Sequence, residues 1–111
     1  MLHTVRSNAD FDRQLAAAGG RLVVVEFTAS WCGPCKSIEP KVRALSRKYQ
    51  DQAFVLKVDV DKCSHVAHDF RVSCMPTFVF IRNGRKVDRF SGADENELEY
   101  KMSKMAKKLK K

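Results

Sequence analysis

Residues 22–36 read LVVVEFTASWCGPCK, and the rest of the chain can be interpreted from this segment outward. Its first part, Leu22–Thr28, is rich in β-branched residues, which favours a strand covered on both faces. The cysteine-containing part, residues 31–35, is typical of a turn, and Pro34 fits the first turn of a following helix. Two cysteines two residues apart, between a buried strand and a helix, form a pattern suited to redox chemistry.

The position of Cys32 at the start of a helix predicts a reactive thiolate. Unpaired backbone N–H groups and the helix dipole favour negative charge there, and the pKa of such a cysteine falls from ~8.5 to about 7 or below. A thiolate of this kind is populated at neutral pH and still nucleophilic. Cys35, one helical turn further on, can attack a mixed disulfide formed by Cys32.

A single Cys-x-x-Cys motif also allows other interpretations. It could be half of a zinc site, but zinc ribbons pair two such motifs. The two remaining cysteines, Cys63 and Cys74, are separated by ten residues and form no second motif. Redox chemistry is therefore favoured, with no metal expected, while a zinc site and a purely structural pair remain as alternatives.

The flanking sequence predicts an alternation of strands and helices. A stripe at positions 38, 42, 45 and 49 predicts a helix after the motif, with a kink at Pro40. Strands are predicted at 2–6, 54–60, 77–82 and 86–91, with an Asn83-Gly84 hairpin turn. Further helices are expected from Ser7 to Gly19, over 62–70, and from Asp94 through Leu109. The order β-α-β-α-β-α-β-β-α predicts an α/β fold with a mixed central sheet and helices on both faces.

Length and composition indicate one domain, residues 1–111, with a basic end at about 106–111. The formal net charge is +8, and six of the lysines responsible lie within residues 101–111. Residues 1–6 lack the apolar core of a signal peptide, and no segment has the ~20 apolar residues needed to span a bilayer. We therefore expect a reducing compartment, the cytoplasm and also the nucleus, in which four cysteines are poor evidence for a disulfide framework.

Three segments resemble the thioredoxin family. Residues 23–36 are similar to its active-site segment, residues 75–78 (MPTF) to its cis-proline loop, and residues 90–93 (FSGA) to the loop before its last helix. The resemblance extends from about residue 2 to residue 105, and Cys74 before Met75-Pro76 points to the animal members of the family. It implies the thioredoxin fold.

The resemblance also implies an activity, protein-disulfide reduction. In that cycle Cys32 is the nucleophile, Cys35 resolves the mixed disulfide, and an NADPH-dependent thioredoxin reductase restores the dithiol. The resemblance further implies that no cofactor is bound, and that the protein passes electrons to disulfide-containing proteins such as peroxiredoxins and reductase-type enzymes and maintains cell redox homeostasis. An alternative is an N-terminal thioredoxin-like domain of a larger protein that binds partners in a redox-dependent way.

The family's substrate-binding residues correspond to six positions of this chain. They are Trp31, Gly33, Pro34, Met75, Pro76 and Gly92. The residue before the cis-proline would hydrogen-bond an extended substrate through its backbone, as in strand-like peptide capture.

Glu26 departs from the family, which usually has a buried aspartate at this position. We expect Glu26 to be a buried proton acceptor for Cys35, with its pKa raised because burial disfavours the carboxylate. The alternative is a structural ion pair with Lys57, which strand alternation could place on the same face.

The remaining cysteines and the basic end have separate interpretations. Cys63 is expected to be buried, because cysteine packs as a small hydrophobic residue. Cys74 is expected to be exposed and is a regulatory candidate that could form a disulfide-linked homodimer. The lysine-rich end is either a helix that continues into solvent, an electrostatic contact for acidic proteins, nucleic acid or an anionic membrane, or a nuclear import patch; no specific nucleic acid and no membrane insertion are expected.

Overall fold

The computed structural model describes residues 2–106. Its elements are, in chain order, β1 (Leu2–Thr4), α1 (Asn8–Ala17), β2 (Leu22–Thr28), α2 (Gly33–Lys48), β3 (Ala53–Asp59), α3 (Ser64–Asp69), β4 (Thr77–Arg82), β5 (Arg85–Ser91) and α4 (Glu95–Ala106). This is the order that the sequence predicts. Leu109 and the lysines after Ala106 lie outside the described residues. Within residues 2–106, no helix is both long and apolar enough to cross a membrane.

The strands form one mixed sheet in the order β1-β3-β2-β4-β5. β1 and β2 each pair with β3 in parallel, whereas β4 pairs antiparallel with both β2 and β5. The β4–β5 connection is the predicted Asn83-Gly84 turn, in which both residues have positive φ. β2 is therefore central, and it is buried along its whole length.

Alternation along β2 divides the core into two layers. Its odd-numbered residues Val23, Val25 and Phe27 pack in a cluster with residues of α1 and α3. Its even-numbered residues Leu22 and Val24 pack in a second cluster with residues of α2 and α4. Because successive side chains of a strand point to opposite faces, Glu26 lies on the α2 side of the sheet. Helices thus cover both faces, as predicted.

β1 ends at Thr4, two residues earlier than the sequence predicts, because the chain turns into α1. Ser7 caps α1 by accepting a hydrogen bond from the Asp10 backbone N–H at 3.0 Å. The Arg6 N–H donates to the Asp10 carboxylate at 2.9 Å, so it is withdrawn from the sheet. The same carboxylate is 2.9 Å from His3 Nε2 and ties β1 to α1.

Replacing Asp10 by asparagine is expected to lower the melting temperature at pH 7. Hydrogen bonds from His3 and Arg6 hold the pKa of Asp10 well below its usual range, so its contribution to stability is present above about pH 4 and is lost as the pH falls further. The difference between wild type and Asp10→Asn should shrink in acid. Thermal unfolding from pH 7 to pH 3 measures it, with the exposed Asp12→Asn as the control on the same helix. An equal loss in both variants would contradict the assignment.

α2 begins directly after the first cysteine. Cys32 is its N-cap residue, and Pro34 occupies the first turn, where a missing N–H costs nothing. The helix continues through Pro40 to Lys48, and the kink at Pro40 stays a prediction. The sharp passage from β2 into α2 thus places both cysteines at the end of the central strand.

Candidate active site

Cys32 and Cys35 form a disulfide at the N-terminus of α2, with their Cα atoms 5.3 Å apart. The Cys35 backbone N–H donates to Cys32 Sγ at 3.2 Å. This N–H is one of the orphan donors of the first helical turn, and it stabilises negative charge on the sulfur once the bond is reduced. Of the two cysteines, Cys32 is therefore the one whose thiolate this geometry stabilises.

The disulfide lies in a small apolar environment. Cys32 and Cys35 are only 5% and 2% exposed and pack with Ala29, and partly buried Met75 adds to this cluster. Cys32 Sγ lies 3.7 Å from the Met75 carbonyl oxygen, a contact to which a reduced thiol could donate. Little of Cys32 is thus exposed to an incoming disulfide.

A cis peptide bond between Met75 and Pro76 shapes the loop that faces Cys32. Hydrogen bonds from Thr77 and Gly92 hold the chain around this bond in place. The Thr77 hydroxyl contacts the Cys74 carbonyl oxygen and the Ser91 hydroxyl, each at 2.7 Å. The Gly92 N–H donates to the Pro76 carbonyl at 2.9 Å. Gly92 has a φ of +108°, a conformation that L side chains rarely adopt.

Trp31 is 66% exposed beside the disulfide. Its indole N–H donates to Asp61 Oδ2 at 2.9 Å, which fixes one edge of the ring. Gly33 and Pro34 are exposed on the other side of Cys32. The structure thus brings five of the predicted substrate-binding positions, Trp31, Gly33, Pro34, Met75 and Pro76, to the surroundings of Cys32, and Gly92 supports the loop from behind.

Glu26 is fully buried in the middle of β2. Burial, and after it the negative charge of Glu39, raise the pKa of its carboxyl to about 8, while the positive charge of Lys57 opposes the shift. Within residues 2–106, neither carboxylate oxygen accepts a hydrogen bond. A deprotonated carboxylate in such a site would be costly, so Glu26 carries a proton at neutral pH.

The alternative interpretation of Glu26, an ion pair with Lys57, is not observed within residues 2–106. The two residues are cross-strand neighbours in the β2–β3 register. However, Lys57 Nζ donates to Glu39 Oε2 at 3.3 Å. Arg43 Nε also lies 3.4 Å from Glu39 Oε2, within ion-pair distance. The carboxylate of Glu39, from α2, is the ion-pair partner of both cations because it is less buried than Glu26.

A cavity of about 570 Å³ opens next to these groups. Cys35, Glu39 and Lys57 line it together with Thr28 and Asp59, whereas Glu26 is not part of its wall. The face of Cys35 that points away from the substrate surface is therefore connected to an aqueous space.

The other two cysteines are free. Cys63 is buried, as predicted, and packs in the α1–α3 layer, and burial raises the pKa of its thiol. Cys74 is exposed, as predicted, directly before the Met75-Pro76 bond. Across the described part of the chain, no three His, Cys, Asp or Glu side chains converge as metal ligands would.

The family model described as thioredoxin matches residues 3–104. The chain belongs to the thioredoxin family. Among curated proteins it is 48% identical to thioredoxin-1 of Drosophila yakuba over 94% of this chain and 97% of that one. It is 50% identical to human thioredoxin over 89% of this chain and 93% of that one. The germline-specific thioredoxin Deadhead of Drosophila melanogaster superimposes with a TM-score of 0.89 at 45% identity, over 92% of this chain and 97% of that one.

Family membership establishes a thiol-disulfide oxidoreductase with a redox-active Cys32–Cys35 pair. Sequence reasoning missed two residues of this thioredoxin site. Asp61 contacts Trp31 from 30 residues away, and no local pattern signals this contact. Glu39 lies four residues after Cys35, and this spacing places both on one face of a helix, a signal that was available in the sequence.

Proposed function

We propose that the protein is a general protein-disulfide reductase. The observation that carries this proposal is the Cys32–Cys35 disulfide at a helix N-terminus beneath the Met75-Pro76 loop. The relatives, which are thioredoxins over most of their length, favour it over a redox-dependent partner-binding module.

The reaction proceeds in two sulfur displacements. The Cys32 thiolate attacks one sulfur of the substrate disulfide, forms a mixed disulfide and expels the other substrate sulfur as a thiolate. Cys35 then loses its proton and attacks Cys32 Sγ, which releases the second substrate thiolate. Two electrons pass to the substrate, and the Cys32–Cys35 disulfide remains.

Glu26 is the proposed acceptor of the Cys35 proton: one carboxyl oxygen takes up this proton as the other gives up the proton that Glu26 carries at rest. Its raised pKa of about 8 suits a group that exchanges protons with a thiol near neutral pH. Trp31, Gly33, Pro34, Met75, Pro76 and Gly92 form the proposed substrate platform. An extended substrate segment would hydrogen-bond to the Met75 backbone, because the carbonyl of this residue faces Cys32.

The proposed partners are thioredoxin reductase, which draws electrons from NADPH, and disulfide-containing proteins such as peroxiredoxins. Recycling of this kind maintains cell redox homeostasis. We place residues 1–111 in one domain, with the basic end at about 106–111, and in the cytoplasm and nucleus, where a reducing environment keeps Cys63 and Cys74 as thiols.

A coupled assay tests the function. It follows NADPH consumption with thioredoxin reductase and insulin as the disulfide substrate. The oxidised protein should be reduced and should sustain turnover. If the Cys32–Cys35 pair is reduced and reoxidised chemically but no turnover occurs, the general reductase is excluded and partner binding becomes the leading function.

Cys74 is the proposed site of a disulfide-linked homodimer, because it is exposed at the edge of the substrate loop. Oxidised wild type is expected to give a dimer band on a non-reducing gel, and Cys74→Ser should give none. Cys63→Ser is the matched control, since the buried thiol is out of reach. A dimer that persists in Cys74→Ser would contradict this role.

A further inference from the structure

Glu39 is a carboxyl of the cavity wall that is bonded to Lys57, the cross-strand neighbour of the buried Glu26. Glu26 is on the α2 side of the sheet and fully buried, while the Glu39 side chain is 18% exposed. Glu39 lines the cavity wall and Glu26 does not. Glu39 is therefore placed to connect the surroundings of Glu26 with the cavity.

Within residues 2–106, neither oxygen of Glu26 has a hydrogen-bond partner, and this bears on how the carboxyls of Glu26 and Glu39 interact. Two ionised carboxylates cannot hydrogen-bond to one another, because each has acceptors only. Both carboxyls nevertheless adjoin the same lysine, since Lys57 is the cross-strand neighbour of Glu26 and lies 3.3 Å from Glu39 Oε2. One shared proton turns this repulsive pair into a donor and an acceptor, as in other paired carboxyls.

The surrounding cations decide which carboxyl holds that proton. Lys57 on β3 and Arg43 on α2 both lie within ion-pair distance of Glu39. They stabilise the ionised form of Glu39, whereas burial favours the neutral form of Glu26. At rest, Glu26 is thus the donor and Glu39 the acceptor.

Helical spacing links the pair to the resolving cysteine. Cys35 and Glu39 are four residues apart on α2 and line the same cavity. Residues at this spacing lie one above the other on one helix face, with Cβ atoms about 5–6 Å apart. Cys35 and Glu39 thus lie on one face of α2, and this face borders the cavity.

We propose that Glu39 is a positioning residue that shares a proton with Glu26 and passes it between this buried carboxyl and the cavity. The inference rests on the proposed role of Glu26 as acceptor for Cys35. When Cys35 gives its proton to Glu26, Glu26 gives its own to Glu39, and Glu39 releases it to water. The sulfur becomes a thiolate, one proton leaves the protein, and both carboxyls return to their starting forms.

The charged environment of the pair comes from several elements. β4 contributes no charge at this point, since Phe78 is opposite Glu26 in the register. The charged and titratable groups that face the pair or the adjoining cavity are Lys57 and Asp59 from β3, Cys35, Lys36 and Arg43 from α2, and Arg6 and Lys62 from the adjoining loops.

A carboxyl titration tests the proposal without reference to turnover. The midpoint of Glu26 is followed by carbon-13 NMR in the oxidised protein. In Glu39→Gln it should move down by about one pH unit or more, because a close like charge is removed. Glu39→Asp keeps the charge and should recover part of the wild-type midpoint. Lys57→Gln should move the midpoint up, and Glu95→Gln, an exposed glutamate on α4, should leave it in place.

The pH dependence of Cys35 attack provides the second readout. Stopped-flow measurement of mixed-disulfide resolution should show the same downward shift of its midpoint in Glu39→Gln. An unchanged Glu26 midpoint in both Glu39→Gln and Glu39→Asp would overturn the proposal. So would a Glu26 shift that leaves the pH profile of resolution unaltered, because Glu39 would then be an electrostatic neighbour only. Neither result depends on the coupled assay, so the reductase function stands or fails separately.

Discussion

Cys32→Ser is expected to lower disulfide-reductase turnover by a factor on the order of a thousand or more. A serine hydroxyl at the helix N-terminus keeps the hydrogen bond from the Cys35 N–H, yet it is not ionised at neutral pH. The variant can form neither the mixed disulfide nor the internal one. NADPH consumption with thioredoxin reductase and insulin measures the loss.

Two further variants make the assignment specific. Cys63→Ala removes a buried thiol far from the reaction and should leave turnover close to that of the wild type. Cys35→Ser should accumulate a stable adduct between Cys32 and substrate, detected by the mass of the intact protein without reductant. If Cys35→Ser formed no adduct while Cys32→Ser did, Cys35 would be the nucleophile and Cys32 the resolving cysteine.

Wild-type stability is expected to fall as the pH rises from 5 to 8, and Glu26→Gln should remove most of this fall. Because burial raises the pKa of Glu26 from 4.5 to about 8, the folded state retains a proton that the unfolded state has lost. Glu26 therefore stabilises the fold fully only below about pH 4.5. Between the two pKa values the unfolding equilibrium constant rises up to about tenfold per pH unit.

Denaturant unfolding of the oxidised protein at several pH values measures this slope. Glutamine has nearly the shape of protonated glutamate but does not ionise, so its profile should be flatter. Glu95→Gln, on the exposed surface of α4, should follow the wild type. A slope that is the same in all three proteins would show that Glu26 is ionised in the fold.

The main features of the fold could be predicted from local patterns. The apolar run of β2 indicates a central strand, and the stripe beginning at Ile38 indicates the helix behind it, since burial imposes the periods of strand and helix directly. Boundaries were less predictable. β1 stops at Thr4 because Asp10 takes up the Arg6 N–H, and this contact depends on the placement of α1.

The site was predictable where chemistry is local and not where it depends on the rotation of a helix. The motif itself identifies Cys32 and Cys35, and alternation correctly makes Glu26 and Lys57 neighbours. Alternation does not show that α2 brings Glu39 to Lys57, which then pairs with Glu39 and not with Glu26. The same limit applies to Asp61, whose contact with Trp31 joins two loops that meet only in the folded chain.

The single tryptophan of the chain directly precedes Cys32, and its ring is largely solvated. All indole fluorescence of the protein therefore arises beside the reacting sulfur. A disulfide nearby, a free thiolate or a covalently attached substrate each offers the excited ring a different quencher and a different polarity. The emission of Trp31 thus provides an optical record of each half-reaction, without a dye and in real time.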